Sequence, residues 1–201
     1  MTITNYEKYD SYQVLGAAIQ PTVMEGFGNF SILASRVLLD EKLGKDDGKG
    51  LAKFEPNEWC PLKNWLRTFD RIAKEYGEYV LRQMGNSVPR NIPFPPHINS
   101  IDSALGSIDV AYHMNHAVNG QVMFSPETGA MKEGIGHYVA ARTPNKKQIV
   151  IDCTSLYHCA FDEGLLQAMA QRFEPTASLI HRPGSCRKKG QGNCVYEINW
   201  K

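Results

Sequence analysis

The sequence predicts an α+β fold in which N-terminal helices are followed by an antiparallel sheet with a packed crossing helix. Apolar residues recur at helical spacing in the first half of the chain. Short runs with strand character, separated by Pro, Gly and Asn, dominate residues 121–200. The 201 residues, 42% of them hydrophobic, are enough for one sizeable core.

Two helices are predicted in residues 1–99, followed by a proline-rich link. The first lies within residues 30–39, and we expect it to offer a surface for a homodimer. A glycine-rich, charged connector at residues 45–50 follows it. The second helix is predicted over residues 65–84, which carry the clearest amphipathic stripe of the chain. Four prolines among residues 89–96 then indicate an extended link.

Residues 100–201 are predicted to form the α+β ligand-binding region, and we expect one continuous domain with residues 1–99. A third helix is expected near residues 100–113. Asp162 is typical of an N-cap, so the crossing helix should start there and end at Pro175. The predicted strands share short apolar runs bounded by turn residues: 121–125, 135–142, 148–153, 176–181 and 194–200.

Composition limits the partners that the chain can have. The 22 Lys and Arg against 21 Asp and Glu give a formal net charge of +1, so no broad positive field attracts nucleic acid or an anionic membrane. The sequence contains no stretch of eighteen apolar residues and no secretory signal pattern at its N-terminus. We therefore expect a soluble, cytoplasmic chain that binds neither nucleic acid nor membranes.

Three cysteines near the C-terminus predict a metal site. In the reducing cytosol, five cysteines favour burial or metal ligation over disulfides. Cys186 and Cys194 bracket a tight turn, and Cys159 can approach from the side, so three thiolates and a fourth ligand would satisfy tetrahedral zinc with bonds of ~2.3 Å. His181 is the preferred fourth ligand, with His158 and Cys153 as alternatives. Ordinary buried thiols remain the competing interpretation, because the spacing is unlike a paired Cys-x-x-Cys site.

The C-terminal half resembles a known group of sensor domains. Residues 157–166, the helix ending in Phe173, and the segment 186–200 resemble the 4-vinyl-reductase-type domain, whose relatives include the input domains of aromatic-responsive transcriptional activators. The same tail is similar to the haem-nitric-oxide-binding superfamily. The resemblance implies a sensory function and a ligand cavity between the sheet and the preceding helices.

The resemblance also bears on cofactors. In the aromatic sensors the corresponding cysteines bind structural zinc, which implies that role for Cys159, Cys186 and Cys194. The family's fourth ligand is a glutamate three residues before the middle cysteine, and Pro183 stands there in this chain. Haem-nitric-oxide proteins hold haem propionates with a Tyr-x-Ser-x-Arg element, which this sequence lacks. Haem is therefore the alternative cofactor and zinc the first choice.

Histidines and aromatic residues supply candidate ligand contacts. A histidine can donate a hydrogen bond to a phenol-like hydroxyl or ligate a haem iron. Each candidate could equally be an ordinary core or surface residue. The candidates are Trp59, Tyr112, His113, His116, Phe124, His137 and Tyr138.

Enzyme signatures are weak in this sequence. Gly26-Phe-Gly28 lacks the rest of a dinucleotide fingerprint, and neither a Gly-x-Ser-x-Gly nor a P-loop motif occurs. We favour a signal-input domain over an enzyme. It would bind a small hydrophobic or aromatic molecule and act through a homodimer or a separate signalling partner. The alternative is a haem- or tetrapyrrole-binding protein that senses a gas, carries a pigment or serves its biosynthesis.

Overall fold

The computed structural model describes residues 5–201, apart from the side chain of Asn91. Its helices are α1 (Gly16–Phe27), α2 (Ser31–Asp40), α3 (Leu62–Glu75), α4 (Glu78–Asn91), α5 (Ile101–Gly106), α6 (Ile108–Met114) and α7 (Cys159–Phe173). Its strands are β1 (Tyr12–Leu15), β2 (Lys45–Asp46), β3 (Ala52–Lys53), β4 (Trp59–Pro61), β5 (His116–Val118), β6 (Gln121–Val122), β7 (Tyr138–Arg142), β8 (Gln148–Cys153), β9 (Ser178–His181) and β10 (Cys194–Asn199).

Two four-stranded antiparallel sheets organise these elements. The C-terminal sheet has the order β7-β8-β10-β9, and α7 packs on it, so the predicted α+β class with a crossing helix is confirmed. A second sheet, of order β4-β1-β5-β6, joins strands from the N-terminal half to β5 and β6. The N-terminal half also contains the short strands β1 to β4, which the sequence did not predict. Its strands have two to four residues, too few for a clear alternating pattern.

Helix boundaries also differ from the predictions. The helix predicted over residues 65–84 is two helices, α3 and α4, because Gly77 adopts φ 87° between them. The apolar stripe continues across the break since both helices bury side chains in one core, Phe69 from α3 and Met84 from α4 among them. Pro89 lies inside α4, so the predicted extended link begins only at Ile92. The third predicted helix is divided into α5 and α6 at Ser107.

The N-cap of helix α7 lies four residues earlier than the sequence predicts. His158 is its N-cap, and the His158 Nδ1 accepts a hydrogen bond from the Ala160 amide at 3.2 Å. Asp162 therefore lies one turn inside the helix, where it is completely buried. This shift turns the predicted capping residue into a charged group of the core.

Helices α4 and α7 cross at two glycines. A β-carbon at Gly164 would overlap the carbonyl oxygen of Arg82, and one at Gly85 would overlap the carbonyl oxygen of Phe161. The backbones can approach this closely only because both positions lack a side chain. The contact fixes α4 against α7, and both helices contribute to the cavity described below.

We expect Gly164→Ala to destabilise the fold although alanine is the better helix former. The gain in helix propensity is about 1 kcal/mol, whereas overpacking costs about 1–3 kcal/mol or more where backbone meets backbone. Urea unfolding of Gly106→Ala is the matched control, since Gly106 ends a helix with open space around it. Equal stability of Gly164→Ala and wild type would contradict this packing.

Candidate functional site: an apolar cavity and a cysteine cluster

A cavity of ≈ 520 Å³ lies between the N-terminal elements and α7. Small and apolar side chains of β1 and α1 form one wall, including Ala17, Ala18 and Pro21. Helix α6 and the aromatic rings of Trp65 and Phe161 form the rest with α4 and α7. Among the described residues that line the cavity, none is Asp, Glu, Lys or Arg. Such a lining suits an apolar ring-bearing ligand with few polar contacts.

His116 is the imidazole side chain among the described residues that line this cavity, and its ring nitrogen can accept a hydrogen bond or bind a metal. It is completely buried, and burial lowers its pKa to about 4, so the imidazole is neutral at pH 7. Its Nδ1 lies 2.6 Å from the carbonyl oxygen of Tyr112, which can only accept, so the proton is assigned to Nδ1. The Nε2 lone pair accepts a hydrogen bond from the Tyr157 hydroxyl at 2.9 Å.

Three tyrosines surround His116 and remain protonated. Burial raises the pKa of Tyr112, Tyr138 and Tyr157. Tyr112 donates to the Ile135 carbonyl oxygen at 2.9 Å, and Tyr138 donates to Asp162 at 2.5 Å. The ring of Tyr112 packs edge-to-face on Tyr138 at 5.4 Å and on Tyr157 at 5.2 Å. These contacts hold two of the hydroxyls on protein acceptors and leave Tyr157 paired with His116.

The predicted contact residues divide into two groups. Tyr112, His116 and Tyr138 line the cavity, as does Met114 beside them. The remaining predicted contacts do not line it: Trp59, His113, Phe124 and His137.

These four residues have other surroundings. Trp59 lies in β4, and Phe124 forms an isolated bridge with Met131. His113 stacks on His137 behind the cavity, with ring centroids 4.9 Å apart. Hydrogen bonds to Glu133 and Asp109 raise the pKa of His137.

Two cavity residues that the predictions missed had a signal in the sequence. Tyr157 and Phe161 lie in the run 157–166, which carries the family resemblance and from which only Cys159 was named as a site residue. The wall contributed by α1 gave no such signal, because its residues are small and carry no distinctive chemistry.

The three cysteines of the predicted metal site lie together. The Sγ atoms of Cys159, Cys186 and Cys194 are all within 4.8 Å of one another, and those of Cys159 and Cys186 are 3.7 Å apart. Bonds of ~2.3 Å to a tetrahedral zinc separate two thiolates by roughly 3.8 Å. All three side chains are buried. The arrangement is chemically suited to a tetrahedral metal ion.

Hydrogen bonds polarise the cluster. Those from Cys159 and Arg187 lower the pKa of Cys194. The backbone N–H and the Nε–H of Arg187 both donate to the Cys194 Sγ at 3.3 Å. The pKa of Cys159 is raised, because its thiol keeps the proton that it shares with Cys194. These contacts favour the thiolate form of Cys194.

The structure does not bring His181 into the cysteine cluster. Its Nδ1 lies 2.9 Å from Glu163 Oε1, and its Nε2 lies 3.2 Å from the Ser185 carbonyl oxygen. Cys153, an alternative, lies 3.6 Å from Asp162 instead. His158, the other alternative, uses Nδ1 to cap α7. A role for His181 as fourth ligand stays a prediction, and it requires the ring to leave Glu163.

Arg187 joins the cysteine cluster to a buried carboxylate. Its guanidinium forms an ion pair with Asp162 and donates to Ser155 Oγ at 3.0 Å. Burial raises the pKa of Asp162 to about 6, although Arg187 and Tyr138 act in the opposite direction. The sequence predictions missed this pair, because they assigned Asp162 to a helix cap and gave no role to Arg187.

Comparison with solved structures identifies the architecture. An H-NOX (haem-nitric oxide/oxygen binding) protein from S. oneidensis, solved in the Fe(II)NO ligation state, superposes with a TM-score of 0.61 at 16% identity, over 93% of this chain and 99% of that one. A mutant of T. tengcongensis H-NOX gives 0.60 at 15% identity, over 92% and 94%. This chain has the H-NOX fold.

The H-NOX fold bears on the two resemblances of the C-terminal half. It supports the haem-nitric-oxide side, whereas the solved structures give no support to the 4-vinyl-reductase side. A structure from work on heme distortion in the H-NOX family agrees, with a TM-score of 0.62 at 15% identity over 92% of each chain. No protein-family model and no curated protein matches the sequence. Within residues 5–201, no helix is long and apolar enough to span a membrane.

Proposed function

We propose that this chain is a sensor domain that binds a metal-bearing tetrapyrrole in the ≈ 520 Å³ cavity, where His116 would ligate the metal. The observation that carries the proposal is a neutral, fully buried histidine in the wall of a largely apolar cavity, whose described lining residues include no charged side chain. The H-NOX fold supports it, because H-NOX proteins of the same architecture were solved in Fe(II)NO and Fe(II)CO ligation states. A bound haem would supply an iron that takes up a diatomic gas.

The residues around His116 fit this role. A metal-ligating histidine almost always donates its second ring N–H to a carbonyl, carboxylate or water. His116 already donates Nδ1–H to the Tyr112 carbonyl oxygen, which fixes both the tautomer and the ring orientation. The Tyr157 hydroxyl must turn away from Nε2 before this atom can bind a metal. Trp65, Phe161 and Leu165 would cover the faces of a macrocycle and exclude water.

A second candidate is a haem-free sensor of a phenol-like molecule. Two observations favour it: no cation lines the cavity among the described residues, and the propionate-binding Tyr-x-Ser-x-Arg element is missing from the sequence. In this case the ligand hydroxyl would replace the Tyr157 hydroxyl as the donor to His116 Nε2. The aromatic walls would supply most of the affinity.

Haem titration of the purified chain separates the two candidates. We expect one haem per wild-type chain, with a Soret band that shifts on adding NO or CO. His116→Ala should weaken binding by more than about 100-fold, since even loss of a supporting residue around a metal ligand costs 10–100-fold. Added imidazole should restore the Soret band of His116→Ala.

His97→Gln is the control, because His97 is exposed and does not line the cavity. A wild-type Soret band that is absent, or unchanged in His116→Ala, would rule out the haem proposal. The haem-free candidate then requires phenols to raise the melting temperature of wild type and not of His116→Ala.

Two further roles belong to the same proposal. Structural zinc on Cys159, Cys186 and Cys194 would hold the C-terminal hairpin. Helix α2 would contact a second copy of the chain or a separate signalling partner, and ligand binding would change this contact. The exposed fractions of Phe30, the N-cap of this helix, and of Ile32 in its first turn are 65% and 55%, an apolar surface suited to association.

A further inference from the structure

A second group of metal-binding side chains lies behind the cavity, in α6 and just before β7. Asp109, His113 and His137 each offer a ligand atom, and these atoms lie within 4.8 Å of one another. The cavity lining includes none of the three. We propose that they bind a first-row divalent transition-metal ion, such as zinc, cobalt or nickel. The site is independent of haem and of the cysteine cluster.

His113 carries the observation that points to a ligand. Its side chain is completely buried, and Nδ1 lies 2.8 Å from the Asp109 carbonyl oxygen, which fixes the proton on Nδ1. The Nε2 lone pair then has no hydrogen-bond partner among residues 5–201. Buried polar atoms nearly always have a hydrogen-bond partner, so an unpaired buried Nε2 is unusual and suggests a missing ligand. The Nδ1 of the same ring lies 3.5 Å from Asp109 Oδ1, so the ring borders the carboxylate of the cluster. A metal ion bound at Nε2 would supply the missing partner and leave Nδ1–H on the carbonyl, as in most histidine-metal sites.

His137 and Asp109 have the spacing of neighbouring ligands. Asp109 Oδ2 lies 3.0 Å from His137 Nδ1. Ligand bonds of ~2.0–2.1 Å to tetrahedral zinc place two ligand atoms roughly 3.3 Å apart. Asp109 is held from the other side, because its Oδ1 accepts the Tyr138 amide at 3.0 Å. The positions i and i+4 of Asp109 and His113 put both on one face of α6.

Glu133 supplies the supporting carboxylate. Its Oε2 lies 2.9 Å from His137 Nε2. When a metal ion occupies Nδ1 of His137, Nε2 keeps its proton and donates it to Glu133, the usual carboxylate-histidine-metal arrangement. Two imidazoles and one carboxylate suit transition-metal ions better than Mg²⁺ or Ca²⁺, which prefer all-oxygen ligand sets.

The site would stiffen one wall of the cavity. Tyr112 and Tyr138 directly adjoin His113 and His137 in the sequence, and both line the cavity. A metal ion shared by Asp109, His113 and His137 would tie α6 to the start of β7. Its occupancy would therefore restrict how far these two tyrosines can separate to admit a ligand.

Cobalt(II) titration of the full chain tests the proposal. Proton NMR should show two cobalt-dependent, hyperfine-shifted imidazole N–H signals, one from each histidine. His113→Gln and His137→Gln should each remove a signal and weaken this site by more than about 100-fold, while Glu133→Gln should weaken it about tenfold and keep both signals. Thiolate-to-cobalt charge-transfer bands report the cysteines separately, and these histidine variants should leave them unchanged.

His97→Gln is the matched control and should keep both signals. His113 is buried, so its variant could fail to fold for packing reasons, but His137 and Glu133 are partly exposed and their variants carry the test on their own. Absence of shifted N–H signals in wild type would overturn the proposal. So would equal affinity and signals in wild type and His137→Gln.

Discussion

Arg187→Met is expected to lower the free energy of unfolding by about 3–5 kcal/mol, because it leaves a buried carboxylate without its counter-ion. The exposed fractions of Arg187 and Asp162 are only 4% and 0%. The guanidinium also donates to Ser155 Oγ and Cys194 Sγ, so the substitution removes three sets of contacts at once. Urea unfolding at pH 7 measures the effect.

The loss should depend on pH. Burial raises the pKa of Asp162 to about 6 in the folded wild type, and removing Arg187 raises it further. A raised folded pKa favours folding at low pH, and this contribution is lost as the pH rises through the folded pKa. The deficit of Arg187→Met relative to wild type should therefore be larger at pH 8 than at pH 5.5.

Arg182→Met is the control on the same hairpin. Arg182 pairs with Glu197, but half of its side chain is exposed, so its loss should cost no more than about 1 kcal/mol. A cost for Arg187→Met as small as that for Arg182→Met would show that Asp162 is not charged in the core. If the stability loss of Arg187→Met were instead larger at low pH, ionisation of the buried Asp162 carboxyl could not be its cause.

The spacing of apolar residues along the sequence predicted the class of the fold. It did not predict the break between α3 and α4 or the pairing of short strands that are distant in sequence. The stripe over residues 65–84 correctly indicated helix, yet a 3.6-residue period cannot reveal the break at Gly77, because both helices bury the same face. Likewise β1 and β4 are short and have no alternation to detect. Their pairing depends on contacts between residues 46 positions apart, such as Val14 and Cys60.

For the candidate sites too, local sequence predicted some residues, whereas others depend on contacts between distant segments. The cysteine cluster was predictable because a tight turn necessarily brings Cys186 and Cys194 together. The ion pair of Arg187 and Asp162 was not, since nothing local separates a buried arginine from its exposed neighbours Lys188 and Lys189. His116 was named as one of several histidines. Only its burial and its two hydrogen bonds distinguish it from the others.

Removing metal from the cysteine cluster is the second change with a large expected effect. An ion present at about a thousand times its dissociation constant stabilises the folded state by about 4 kcal/mol. For a chain of this length, that corresponds to a fall in melting temperature of roughly 8–16 °C. We expect this fall after chelation of wild type, and also in untreated Cys186→Ser, together with loss of zinc measured by elemental mass spectrometry.

Cys60→Ser separates metal loss from the general cost of replacing a buried thiol. Cys60 is as buried as the others but lies in β4, outside the cluster. This variant should keep its zinc and still respond to chelation, whereas Cys186→Ser should not respond. Less than ~0.2 zinc per wild-type chain would rule out the structural site, given how tightly such sites hold the ion.

The fourth ligand can be assigned by the same measurement. Pro183 cannot ligate, so a tetrahedral site needs His181, His158 or water in the remaining position. If His181 leaves Glu163 to bind zinc, His181→Gln should lose zinc as Cys186→Ser does, while Glu163→Gln should bind it more tightly by releasing the ring. If both variants keep wild-type zinc affinity, His181 only links β9 to α7, and the metal is held by three thiolates and another group.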